Sequence, residues 1–171
     1  MAFDPAEVES EAPDAWTGKS TALVYELASV VEAWLTKRGH AAFAALEVAD
    51  KDAVLLRMTE LAEDIIKPKF RGRPVRQGQR LLFPARGAYD GRGALLDDNE
   101  APAGYLEGIR LMCELEAGGN FMPTPGELAG IAEERNRRGG IVYRQNIDPA
   151  ALSTQHPDVW RKLRQAVPRL L

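Results

Sequence analysis

Apolar positions recur at helical spacing along three stretches of the chain. The first runs from about Thr21 to Lys37 with Leu23, Leu27, Val30, Val31, Trp34 and Leu35, and Gly39 is placed to stop it. The second runs from Asp50, the expected N-cap, to Ile66. Along it Val54, Met58, Leu61 and Ile65 form one stripe, and Leu55, Ala62 and Ile66 form another. So wide an apolar face predicts the central helix of a core rather than a surface helix packed on one side. The third stretch, Glu100 to Ala117, carries Tyr105, Leu106, Ile109, Met112, Cys113 and Leu115 up to Gly118-Gly119. Between the first two, Ala41 to Leu46 predicts a short helical turn that tucks Phe43 and Leu46 into the core.

The pattern stops between the second and third helices. Lys67 to Arg86 is basic throughout, is broken by Pro68, Gly72, Pro74 and Gly78, and keeps no apolar period of two or of 3.6. It predicts an ordered loop pinned at one end by the helix before it and at the other by Leu81-Leu82-Phe83. Beyond it, Asp90-Gly91 is a hairpin-turn signal from which Ala94-Leu95-Leu96 returns as a short strand.

After Gly119 the character changes. Pro123, Pro125 and Gly126 make a connector, and Leu128 to Arg138 admits either a short helix or a hairpin arm. Arg137 to Gly140 reads as a turn entering a strand at Ile141 to Ile147. Pro157 is placed as a first helical residue, followed by Val159, Trp160, Leu163 and Val167 beside Arg161, Lys162, Arg164 and Arg169. This basic amphipathic tail packs on its own domain or offers Trp160 to a partner groove. The fold class expected is mainly α: a small helical bundle with a long basic loop, and an extended or β-hairpin element plus a tail in the C-terminal part. Residues 1–16 are expected as an acidic flexible arm, 17–119 as the helical domain, and 120–171 as connector, strand and tail.

The chain has 171 residues, enough for one core, with the apolar and charged fractions of an ordinary globular protein. A net charge of −3 argues against a surface that coats nucleic acid throughout, so anion binding must be local. The arm contributes to that charge: Asp4, Glu7, Glu9, Glu11 and Asp14 have no Lys or Arg among them. No apolar run suggests a membrane span, and the acidic start differs from the cationic opening of a signal peptide, so synthesis in the cytoplasm is expected.

Catalytic signatures are missing. Thr17-Gly18-Lys19-Ser20 ends like a phosphate-binding loop, but Pro13 stands where its first glycine belongs and no apolar strand precedes it. His40 and His156 are far apart in ordinary contexts. Cys113, the sole cysteine, lies within an apolar set and reads as an inert buried thiol. No catalytic residue, cofactor or metal is expected.

Short motifs along the helical region set the chain in a context. Trp34-Leu35-Thr36-Lys37-Arg38-Gly39 with Phe43, Asp50-Lys51-Asp52-Ala53, Phe70-Arg71-Gly72-Arg73 and Leu81-Leu82-Phe83-Pro84-Ala85-Arg86 follow in an order and spacing that resemble a family of tailed-bacteriophage head-to-tail adaptor proteins, also described as DnaT-like single-stranded DNA-binding proteins. Relatives commonly show Trp-Pro-Arg where this chain has Phe83-Pro84-Ala85-Arg86, which displaces the arginine by one position. The resemblance implies a structural virion protein at the phage neck, in a homo-oligomeric ring that is dodecameric in relatives. Such a ring lies beneath the portal protein and meets a tail-side connector or tail protein. The contact residues expected for a partner or for DNA are Lys67, Lys69, Phe70, Arg71, Arg73, Arg76, Arg80, Phe83, Arg86 and Trp160. In the alternative reading, a single-stranded DNA-binding module, Arg71, Arg73, Arg76 and Arg80 hold phosphates while Phe70, Phe83 or Tyr89 stack on bases.

Overall fold

The structure, a computed structural model, describes residues 21–119, 121 and 155–166. The acidic arm 1–16, the phosphate-loop-like 17–20, the connector 123–126, the ambiguous 128–138 and the strand expected at 141–147 lie outside the described residues.

The described fold is mainly helical. Its elements in order are α1 (Ala28–Thr36), α2 (Val48–Ile66), a 3-10 turn (Lys67–Lys69), β1 (Arg73–Pro74), β2 (Ala85–Arg86), α3 (Ala103–Ala117) and α4 (Pro157–Leu163), which runs into a last 3-10 turn (Arg164–Ala166). No helix among the described residues is long and apolar enough to cross a membrane.

α2 is the centre of the core, as its double stripe requires. Val54, Leu55, Met58, Ala62, Ile65 and Ile66 are all buried on it. Its start differs from expectation: Glu47 is the N-cap and makes no side-chain cap bond, while Asp50 stands in the first turn. The Lys51 N–H already donates to the Glu47 carbonyl at 3.0 Å, so the helix opens a turn early. There the Asp50 carboxylate still complements the positive end of the helix dipole.

α1 is shorter than its apolar spacing predicts. Ala22, Val24 and Tyr25 are buried in a non-helical entry segment, with Leu23 half-buried between them, while Leu27 and Val30 are exposed. The apolar residues thus serve two local structures in succession. Gly39 ends the helix as expected, at φ +81°, which lets the His40 N–H reach back to the Leu35 carbonyl at 3.1 Å. α3 begins at Ala103 rather than Glu100 because Pro102 disfavours helical geometry in the residue before it. Asn99 instead turns on Asp97, donating its backbone N–H to Oδ1 at 2.7 Å.

The turn after α1 is tied to α3 by one carboxylate. Glu114 accepts the backbone N–H groups of Ala41 (3.1 Å) and Ala42 (2.9 Å) on Oε1 and that of Phe43 (2.9 Å) on Oε2, and Phe43 is fully buried. Across the bundle, α4 lies so close on α3 that a Cβ at Gly108 would stand 2.8 Å from Leu163 Cδ2. Val159, Leu163 and Ala166 join the same core as α2 and α3, and Trp160 packs half-buried against it. The C-terminal helix is therefore a packed part of the domain. Lys162 pairs with Glu107, and Arg161 with Asp158 at 2.6 Å.

Candidate interface around the basic loop

The loop is built on α2. Pro68 ends the α-helix in a 3-10 turn, and the Phe70 N–H closes it on the Ile66 carbonyl at 3.0 Å. The chain then passes through Arg71-Gly72 into β1, which pairs antiparallel with β2. Gly72 permits the close approach: a Cβ there would meet Phe70 Cζ at 2.6 Å, Ala85 Cβ at 2.8 Å and Ala88 Cβ at 3.0 Å. The return limb is buried at Leu81, Phe83, Pro84 and Ala85, with a cis peptide between Phe83 and Pro84.

Gln79 organises the tip. Its Oε1 accepts the Arg76 N–H at 3.4 Å, and its Nε2 donates to the carbonyls of Leu81 (2.8 Å) and Pro84 (3.0 Å). Below the return limb, Glu63 Oε1 accepts the Tyr25 hydroxyl and the Leu82 N–H at 2.8 Å, while the Tyr25 oxygen accepts the Phe83 N–H at 3.2 Å. Burial pushes the Glu63 carboxyl above its usual range, although its two donors and the nearby Lys67 charge act the other way. Burial likewise raises the Tyr25 and Tyr105 hydroxyls well above theirs, with the Tyr105 and Glu63 neighbours adding to the effect on Tyr25.

Aromatic rings continue this anchor into the core. Phe70 meets Phe83 edge to face at 5.0 Å, Phe83 meets Tyr105 at 5.3 Å, and Tyr105 meets Tyr25 edge to face at 5.6 Å. Phe83 is thus fully buried, a packing residue that offers no ring for an outward contact. Phe70 is half-buried against it. Trp160 is held on the bundle, some distance along the chain from this loop, and belongs to α4.

The cations remain outside. Lys67, Arg71, Arg73, Arg76, Arg80 and Arg86 are exposed and Lys69 is half-exposed. Among the described residues, Lys69, Arg71, Arg73, Arg80 and Arg86 make no ion pair, whereas Lys51, Arg57 and Arg110 elsewhere on the helices pair with Glu32, Glu116 and Glu26. The β1–β2 register places Arg73 directly opposite Arg86. Opposed residues of an antiparallel pair project from the same face, and like charges there repel. The next turn adds Arg92, exposed, and an isolated bridge between Tyr89 and Leu95. Both members of that bridge are exposed, at 45% and 64%. Asp90 fixes the turn as its Asp-Gly signal predicts, accepting the N–H groups of Arg92 and Ala94 on Oδ1, each at 2.8 Å.

The anchoring residues Tyr25, Glu63 and Gln79 were not evident from spacing. Glu63 alone leaves a signal, as a carboxylate next to Ala62 on the widened apolar face of α2. Trp34 has a local part: the Arg38 and Arg110 guanidiniums stand 3.7 and 5.0 Å from its ring centre, within cation–π reach. Cys113 is fully buried and burial pushes its thiol far up, which leaves it inert. Among the described residues no group of His, Cys, Asp and Glu side chains converges as a metal site.

No family model, curated protein or solved structure matches the chain.

Proposed function

We propose that this chain is a structural head-to-tail adaptor of a phage neck, a ring subunit that contacts the portal and its own neighbours through the Lys67–Arg86 loop. The observation that supports it most is an exposed row of cations, with Arg71, Arg73, Arg80 and Arg86 unpaired among the described residues, on a loop pinned through Tyr25, Glu63 and Phe83 to the core. A loop held this firmly keeps its charges in register, which suits a repeated heterologous contact. The motif resemblance around Trp34, Phe70 and Phe83 supplies the family. Apolar anchors must supply much of the affinity, and Tyr89 and Leu95 are available for that beside the cations.

The test is assembly. Mixing the protein with the portal of the same phage should yield rings on the portal, and cryo-electron microscopy of virions should show its density at the neck. A protein that stays monomeric beside its portal and is missing from the neck overturns the reading. Replacing Arg71 and Arg73 by Ala should abolish ring formation without lowering the melting temperature of the isolated chain.

The like-charge pair Arg73–Arg86 also favours a second reading, single-stranded DNA held by its phosphates. With Phe83 buried, base stacking falls to Tyr89 and to the exposed part of Phe70. Log affinity for an oligonucleotide should then fall steeply with log salt. A flat response excludes this reading.

A further inference from the structure

The repulsion between Arg73 and Arg86 calls for a counter-charge, and among the described residues neither side chain has one. Beside them lie Arg71 and Arg92, also exposed, and the exposed apolar pair Tyr89 and Leu95. A matching ligand is therefore an extended segment that carries several carboxylates and a few apolar side chains. Residues 1–16 of this chain fit that description, with Asp4, Glu7, Glu9, Glu11 and Asp14, no Lys or Arg, and the apolar Phe3, Val8 and Trp16.

The position of chain entry says which copy supplies it. Ala22, Val24 and Tyr25 are buried, so the start of the described chain is fixed, and the Tyr25 hydroxyl oxygen accepts the N–H of Phe83 at 3.2 Å. Arg86 follows Phe83 by three residues, a span of about 10 Å at most. The tether from Thr21 back to Trp16 adds up to about 17 Å when extended, enough to bring the acidic segment to the arginines. A tether this short gives the segment an effective concentration on the order of millimolar, above that of a second copy in dilute solution.

We propose that the acidic segment Met1–Trp16 covers the Arg73–Arg86 face of its own chain, as an intramolecular occupant that any acidic or phosphate-bearing partner must displace. The consequence for neck assembly rests on the adaptor reading. The contact itself does not, and it is tested separately.

The experiment uses the full chain with a nitroxide on Ala6→Cys, since buried Cys113 does not compete for the label. The amide signals of Arg73, Arg86, Tyr89 and Leu95 should lose most of their intensity in the paramagnetic state. They should recover in about 1 M salt, where the screening length falls to about 3 Å. The loss should persist on dilution and should disappear when Asp4, Asp14, Glu7, Glu9 and Glu11 are changed to Asn or Gln. A uniform profile, or a loss confined to mixtures in which the nitroxide and the isotope sit on different copies, overturns the proposal. Failure of portal binding with this pattern intact would overturn only the adaptor reading.

Discussion

Tyr25 and Glu63, 38 positions apart in sequence, meet in a hydrogen bond beneath the basic loop, and each holds one loop N–H: Glu63 that of Leu82, Tyr25 that of Phe83. The loop is therefore fastened by its backbone, while Arg71, Arg73, Arg80 and Arg86 stand exposed on it. Tyr25→Phe removes the donor to Glu63 and leaves the buried Phe83 N–H without its acceptor. The expected loss is about 1–3 kcal/mol in urea unfolding, with faster amide exchange at Leu82 and Phe83. An unchanged exchange rate at both amides would show that the loop is held by other means.

Glu63 also sets a pH dependence. Its carboxyl is raised in the folded state, so between the ordinary value of 4.5 and the raised one the native chain binds more protons than the unfolded chain. Its contribution is fully present below 4.5 and falls as pH rises through the folded value. Glu63→Gln should remove that slope from the unfolding free energy and leave the remaining dependence in place. Tyr25 and Tyr105 act in the same sense above pH 10, where the unfolded tyrosines ionise first. Tyrosinate absorbance from these two should appear only with alkaline unfolding.

Glu114 closes the α1–α2 connection by accepting three consecutive backbone N–H groups. Glu114→Ala leaves them without that charged acceptor, at a cost of about 2 kcal/mol. Thermal unfolding reads the loss, and exchange should quicken at Phe43 before it does at α2.

Gly72 marks where the outgoing limb of the loop passes the returning one. Gly72→Ala places a methyl against Phe70, Ala85 and Ala88, and the two backbones must part. Overpacking of this kind costs about 1–3 kcal/mol. The expected signature is loss of the β1–β2 amide protection together with that drop.

Arg86→Ala separates stability from binding. In a chain whose Asp4, Glu7, Glu9, Glu11 and Asp14 are changed to Asn or Gln, removing one of two like charges across the strand pair should raise stability by about 0.2–1 kcal/mol at low salt. The gain should vanish at high salt, and under the adaptor proposal ring formation should weaken at both. A fall in stability would assign Arg86 a packing role.

α2 was legible from Asp50 to Ile66, though not in its first turn, because its apolar face is too wide for anything but a core. Gly39, Pro157 and the Asp90 turn were legible because each meets a strict local requirement of the backbone. The start of α1 was not, since Leu23 and Leu27 sit at helical spacing while Ala22 and Val24 are the residues buried. Within the candidate site, the cations could be read directly from Lys67 to Arg86. What fastens them could not, because Tyr25, Glu63 and Phe83 converge only through tertiary packing. Phe83, expected as an outward contact, is drawn inward between Phe70 and Tyr105 for the same reason.

Phe121, buried just past α3, and His156, just before α4, stack with their rings 5.2 Å apart. The end of α3 and the start of α4 are therefore held together by those rings as well as by α4 seated on Gly108. A change at Phe121 is therefore felt at the start of α4, far from it in sequence, and the seating of the last helix answers to a residue outside both helices.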